Sequence, residues 1–212
     1  LYDTTLTISH RNLKNKILTG LVPKGKEWIR FTPGDMFDEE DEDYQEAKEF
    51  CDKLTKDFFR YVDKSNFYLA FSESLDDLLI STAALAVNEG NFENPLLFDA
   101  APPSQTYFTQ GPRSEITGVY RDWYKVMVSH IEHTWPGAKK PINKKDEDTI
   151  DLIEASEIDY SALKSQRYHY VLMTKEKEIL LDVRASSWPW VVYRMAKLVG
   201  ETRGRGPTLD AT

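Results

Sequence analysis

The chain has 212 residues, 41% hydrophobic and 29% charged, the balance of an ordinary folded protein able to bury a sizeable core as one domain or two closely packed ones. With 27 Lys and Arg against 35 Asp and Glu, its net charge of −8 works against a tight nonspecific grip on DNA, which depends on neutralising phosphates. No apolar run approaches the roughly 18 residues of a membrane span, no basic-then-apolar signal region opens the chain, and the single cysteine excludes an internal disulfide framework or a thiolate metal cluster.

Leu6, His10, Leu13, Ile17 and Leu21 recur at helical spacing after a candidate cap, Thr4, and Pro23 and Gly25 end the run. Trp28 to Thr32 alternates bulky and polar residues before Pro33-Gly34, which predicts a short strand and a turn. An acid-rich loop, Asp35 to Asp43, leads into Tyr44, Ala47, Cys51, Leu54, Phe58 and Tyr61, an amphipathic helix whose acidic start complements the helix dipole. Cys51 falls on its apolar stripe and reads as a buried structural thiol, and a reducing cytosol suits a chain with one cysteine. Lys64-Ser65-Asn66 breaks the pattern, with Ser65 as a cap, and Phe67, Phe71, Leu75, Leu78 and Thr82 define a second long helix expected to pack on the first.

After Asn88-Glu89-Gly90 the period changes. Leu96 to Ala100, Thr106 to Thr109 and Glu115 to Trp123 are short, aromatic or β-branched, and punctuated by Pro102-Pro103 and Gly111-Pro112, which reads as a meander. Val126 to Trp135 is a short helix closed by Pro136-Gly137, and the polar stretch Lys139 to Asp148 is the candidate mobile loop or linker. Tyr168 to Met173 and Glu178 to Val183 flank the turn Lys175-Glu176-Lys177 as a hairpin, with Ile179, Leu181 and Val183 on one face, and Trp190 to Met195 is expected beside it. The whole is an α+β chain: a mainly helical part (1–87), a β-rich part (96–200) and a closing turn (201–212).

Candidate chemistry is thin. His130 and His133 on one helix face could aim at a metal ion, but no third ligand is fixed by spacing, and a solvated helix face is the competing reading. Asp38-Glu39-Glu40-Asp41-Glu42-Asp43 lacks the alternating oxygens and central glycine of a calcium loop. Asp76 and Asp77 diverge by about 100° on a helix, so with Asp182 they read as surface charge rather than an acid–base pair. Phosphate-loop, nucleophile-elbow and dinucleotide motifs are absent. The chain is therefore not read as an enzyme, and no cofactor is called for. Two alternatives stay open: a metal-assisted hydrolase built around His130 and His133, and a free-standing peptide-binding module.

The closing passage carries the most information. Trp188-Pro189-Trp190-Val191-Val192-Tyr193-Arg194 is an apolar strand ending in Arg, followed by Gly200-Glu201-Thr202-Arg203-Gly204-Arg205-Gly206-Pro207. Glycine permits unusual dihedrals and close backbone approach, and proline suits a first helical residue. The segment reads as the lead into a helix lying beyond Thr212, and the absence of an initial Met likewise reads as a processed or truncated N-terminus. Trp188 and Trp190 are core residues or aromatic anchors of a subunit interface.

That passage resembles the head-to-tail connector, or portal, proteins of short-tailed bacteriophages, in which a strand ending in Arg-Trp leads to a Gly-Glu-x-Tyr-Gly-Arg-Gly-Pro turn and then to channel-lining helices. Arg194, Gly200, Glu201, Gly204, Arg205, Gly206 and Pro207 match, while Met195 stands where tryptophan is usual and Arg203 where tyrosine is usual. Weaker echoes keep the family's order: Tyr2-Asp3-Thr4-Thr5, Pro23 before Trp28-Ile29-Arg30-Phe31, and Asn66-Phe67-Tyr68 through Asp77-Leu78 to a strand at Ala83-Ala84-Leu85. Gly118-Val119-Tyr120-Arg121 and His133-Thr134-Trp135-Pro136 complete the series. The resemblance implies the outward-facing wing of a ring subunit, dodecameric as is usual in the family, that sits at the portal vertex of the virion after assembly in the bacterial host cytoplasm. It implies capsid, scaffolding, terminase and tail proteins as partners, and double-stranded DNA passing without sequence readout. Packaging ATPase chemistry then belongs to another protein, and Trp188, Trp190, Arg194, Glu201, Gly204, Arg205, Gly206 and Pro207 are the residues expected at the subunit interface or structural turn.

Overall fold

The computed structural model describes residues 4–34 and 42–210, which form an α+β fold of antiparallel sheets and helices. Tyr2 and Asp3 of the family-like opening, and most of the acid-rich segment, lie outside the described residues. Helix α1 (Thr5–Leu21) begins after Thr4, whose side chain makes no capping bond. Helices α2 (Glu42–Lys64) and α3 (Phe67–Ile80) are separated by two residues, and the Ser65 hydroxyl serves both ends: it donates to Val62 O (2.8 Å) and accepts the Phe67 N–H (3.1 Å). Cys51 is half-buried, at the margin of the face that buries Thr55, Phe59 and Val62, so it is not the fully buried thiol expected.

The two helices meet over less of their length than so short a link led us to expect, because α3 packs chiefly on α1 and on the sheet behind it. Trp28 fills the wedge between them, stacked on Phe67 (5.8 Å between centroids) and edge-on to Phe59 (5.5 Å). Segment 28–32 is consequently not a strand. Its aromatic rings plug between helices, and its backbone is fixed by the Phe31 N–H donating to Thr55 Oγ1 (3.1 Å) instead of to a neighbouring strand.

Helix α3 stops at Ile80, and Thr82 opens strand β1 (Thr82–Glu89) rather than closing the helix. The small side chains Ala83, Ala84 and Ala86 are all buried, which lets this strand lie covered on both faces. It is the middle of a three-stranded sheet, between β2 (Leu96–Ala101) and β8 (Trp190–Arg194). A second sheet of five strands runs in chain order: β3 (Thr106–Gln110), β4 (Ile116–Met127), β5 (Thr149–Ile158), β6 (Tyr168–Thr174) and β7 (Ile179–Ala185). Three expectations are thereby corrected. Strand β2 leaves the meander for the other sheet, β8 pairs with β1 instead of the β6–β7 hairpin, and the central strand β5 has no counterpart in the sequence reading.

Helix α4 (Val128–Thr134) covers one face of the five-stranded sheet, packing Val128, Ile131 and the following Trp135 on Leu152, Leu172 and Leu180. A bulge in the β6–β7 pairing turns Leu180 inward and leaves Ile179 and Val183 exposed, so the expected apolar face of that hairpin is broken. Loop 139–148 is tied to β7 and its turn. The Lys139 N–H donates to Leu180 O (2.7 Å) and the Ile142 N–H to Glu178 Oε1 (2.9 Å), so it is an anchored loop and not a linker.

A second core, with Ala84, Ala101, Val119 and Trp190, joins the two sheets. Beside it runs a buried polar bridge. Arg121 on β4 pairs with Asp99 on β2 and stacks on Trp123 (3.8 Å), while the Trp123 Nε1–H donates to Glu154 (2.6 Å). Burial pushes the Glu154 carboxyl above the usual range, against the opposing hydrogen bonds from Trp123 and Tyr170.

Candidate functional site

Strand β8 leaves its sheet at Arg194, and the chain then makes a compact excursion before returning to α3. A two-residue pair, β9 (Ala196–Lys197) with β10 (Gly204–Arg205), closes the loop, and α5 (Pro207–Asp210) follows. Gly200 sits at φ +83°, the left-handed conformation that glycine alone adopts freely. Gly204 and Gly206 do not need positive φ; they need space. A Cβ on Gly206 would stand 2.1 Å from Leu79 O, and one on Gly204 would stand 2.8 Å from Arg194 Cβ and 2.9 Å from Ala196 O.

This contact lets the turn use the C-terminal end of α3. The Gly206 N–H donates to Ile80 O (3.1 Å), satisfying a carbonyl that the helix leaves without an internal partner. The Gly204 N–H donates to the buried Thr82 Oγ1 (2.8 Å), and Ser81 Oγ donates to Gly204 O (3.2 Å). The end of α3 and the start of β1 thus form the seat of the turn. Pro207 occupies the first position of α5, where its missing N–H leaves no bond unmade.

Arginines brace the loop from the sides. Arg194 donates through Nη1 to Thr202 O (2.9 Å) and through Nη2 to Ser114 O (3.0 Å), spanning from the three-stranded sheet to the β3–β4 turn. Arg203 donates to Pro103 O (2.8 Å) and Thr106 O and faces the Phe108 ring, so arginine at this position fills its place by main-chain bonding and ring contact. Arg205 pairs with Glu201 (3.2 Å) at the exposed surface. The Gln110 amide donates to the Glu201 and Thr202 carbonyls, a contribution with no signal in the sequence.

Helix α5 is held by a junction of three helices, also unanticipated. His10 on α1 bonds Thr208 on α5 through Nδ1 (2.9 Å) and Asp76 on α3 through Nε2 (3.1 Å), and Lys14 Nζ donates to the other Asp76 oxygen (2.8 Å). Asp76 is therefore an inter-helix clamp and not merely surface charge. Its neighbour Asp77 is half-buried and pushed up to about 6, first by burial and then by the charges of Asp76 and Glu73. Behind it Tyr193 on β8 shares a hydrogen bond with the buried Ser74.

The two tryptophans separate. Trp190 is buried, its Nε1–H donating to Ser156 Oγ (3.1 Å), while Trp188 is half-buried against Tyr168. His130 and His133 lie exposed on α4 on either side of the fully buried Ile131, and among the described residues no group of three His, Cys, Asp or Glu side chains is placed to hold a metal ion. Asp182 pairs with His169 (2.8 Å) on the five-stranded sheet and is not assembled with Asp76 or Asp77. Among the described residues no helix is long and apolar enough to cross a membrane.

The glycine contacts, the arginine braces and the His10–Asp76–Thr208 junction together fix the position of α5 against α1, α3 and β1. The chain belongs to the bacteriophage head-to-tail connecting protein family, whose model matches residues 1–212. No curated protein matches it. Membership gives the chain a structural role in the virion, where head and tail proteins meet.

Proposed function

We propose that the chain is the wing of a portal subunit, assembled head-to-tail with copies of itself into a ring, dodecameric as in the family it resembles, through which double-stranded DNA is packaged and ejected. The observation that supports this reading is the seating of Gly204 and Gly206 on α3 and β1, which fixes where α5 begins. The mechanism is geometric. A heterologous interface repeated by rotation closes a ring, and an outlet held at one angle in every copy brings the following helices to a common axis. The helical part (1–87) and the β-rich part (96–200) form the wing, and 201–212 the turn toward the channel. A net charge of −8 fits a conduit past which phosphates slide without being gripped. Scaffolding and terminase proteins are the transient partners during assembly in the host cytoplasm, and capsid and tail proteins the lasting ones. Electron micrographs of the full-length protein test this reading: closed rings with an axial channel are expected, and monomers or open filaments would overturn it.

A further inference from the structure

Arg121 and Glu154 are direct cross-strand partners on β4 and β5, and both are buried where the five-stranded sheet meets the three-stranded one. Side chains in such a pair start about 5 Å apart at Cβ, close enough for an ion pair to form by side-chain rotation alone. The pair does not form. Arg121 Nη1 donates instead to Asp99, on β2 of the other sheet, and among the described residues Glu154 makes no ion pair. The Arg121 Nε–H is buried and has no hydrogen-bond acceptor among the described residues, so the guanidinium holds a spare donor beside an unpaired acid.

The Trp123 indole joins the two groups. The guanidinium stacks on its ring, 3.8 Å from the centroid, and its Nε1–H donates to Glu154 Oε2 (2.6 Å). Tyr170 on β6 also bonds Glu154, and Trp135, which follows α4, bonds Tyr170. The titratable groups facing the Glu154 carboxyl are thus Arg121, Asp99 and Tyr170. Burial without a counterion favours its protonated form. The Asp99 charge adds to that preference, while Trp123, Tyr170 and Arg121 oppose it. Asp99 is differently placed: its side chain is 39% exposed against 8% for Glu154, so water can solvate it if the guanidinium leaves. An ionised Glu154 would have no such recourse, and the deeper carboxylate has the stronger claim on the arginine.

We propose that Arg121 is a two-position latch between the sheets: with Glu154 protonated it clamps Asp99, and when Glu154 releases its proton to solvent the guanidinium turns to this cross-strand partner and frees Asp99. The closed form holds one proton more than the open one, so acid favours it and rising pH opens it. The three-stranded sheet carries Thr82 and Arg194, which hold the C-terminal turn, so opening the latch loosens the support of that turn. The latch lies within one subunit and stands or falls independently of the ring.

Hydrogen exchange of the full-length protein, read by mass spectrometry on β2 and normalised to the intrinsic exchange rate at each pH, tests the latch. Asp77→Asn serves as background, because that carboxyl titrates at about 6 and would add its own pH dependence. In this background the protection of β2 should fall about tenfold between about pH 5 and about pH 9, the range in which raised carboxyl groups lose their protons. Glu154→Gln, neutral at every pH, should keep β2 protected throughout. Asp99→Asn removes the charged partner of the closed form and should leave β2 weakly protected throughout. Protection of β2 that stays constant with pH in the background protein would overturn the latch, and so would an unchanged pH dependence in Glu154→Gln. Should Glu154→Gln fail to fold, Asp99→Asn decides: a pH dependence equal to that of the background protein would reject the two-position arginine.

Discussion

Strands β3 to β7 pair in the order in which the chain makes them, each with its immediate successor, and α4 from the same stretch covers them. The three-stranded sheet is assembled differently: β1 ends at Glu89 and its partner β8 begins at Trp190, with the entire five-stranded sheet in between. The first region is held by large apolar side chains, the second by alanines, main-chain hydrogen bonds and glycine contacts. The contrast separates two tasks. A sheet that only has to persist can rest on burial, whereas a junction that has to set an angle needs short, directional contacts that tolerate little displacement.

The sharpest way to break that contrast is to place a side chain where the junction admits none. Gly206→Val forces atoms into the Leu79 carbonyl, so unfolding in urea should show a loss of about 4 kcal/mol, or a separate early transition as the turn leaves its seat. A variant as stable as the parent would mean that the close approach carries no constraint. On the other side of the comparison, Leu152→Ala removes a fully buried side chain from the five-stranded sheet and should cost about 3 kcal/mol in the main transition. If it instead released the C-terminal turn first, the two regions would not be mechanically distinct.

A smaller effect is expected from Thr82→Val, which keeps the shape of the seat but leaves the Gly204 N–H without its acceptor; thermal melts should show a loss of about 1–2 kcal/mol. The smallest depends on pH. The Asp77 carboxyl binds its proton more tightly in the folded chain, at about 6 against 3.8 in the open chain, so its contribution to stability is best at low pH and is lost as pH rises through that interval. Asp77→Asn should accordingly stabilise the protein by about 1 kcal/mol at pH 8, after allowance for solvent screening, and change nothing near pH 3. Equal effects at both values would show that packing, not charge, governs the position.

The same division decided what could be read in advance. The β6–β7 hairpin, α4 and the three long helices were legible because each is specified by neighbours within a few residues, and the Gly-Glu to Gly-Pro passage was legible because its residue types are so constrained. Strand β5 escaped because two of its inward positions are Glu154 and Ser156, polar residues whose partners, Trp123 and Trp190, arrive from elsewhere in the chain and erase the alternation of apolar residues. The β1–β8 pairing had no local signature at all, and Thr82 looked like one more helical position until Gly204 supplied the reason for its hydroxyl. The junction that holds α5 was equally hidden: His10, Asp76 and Thr208 meet only in three dimensions.

The long wait between β1 and β8 also has a meaning in time. During synthesis the roughly 100 residues separating Glu89 from Trp190 take about 5 to 20 s to emerge, and for that interval one edge of β1 has no strand beside it. The exposed stretch, Ala83 to Ala86, is a ready template for another nascent chain on the same message. Apart from Leu85 its side chains are small and offer such a neighbour little to grip, which makes the alanines a safeguard during translation as well as a fit in the finished fold.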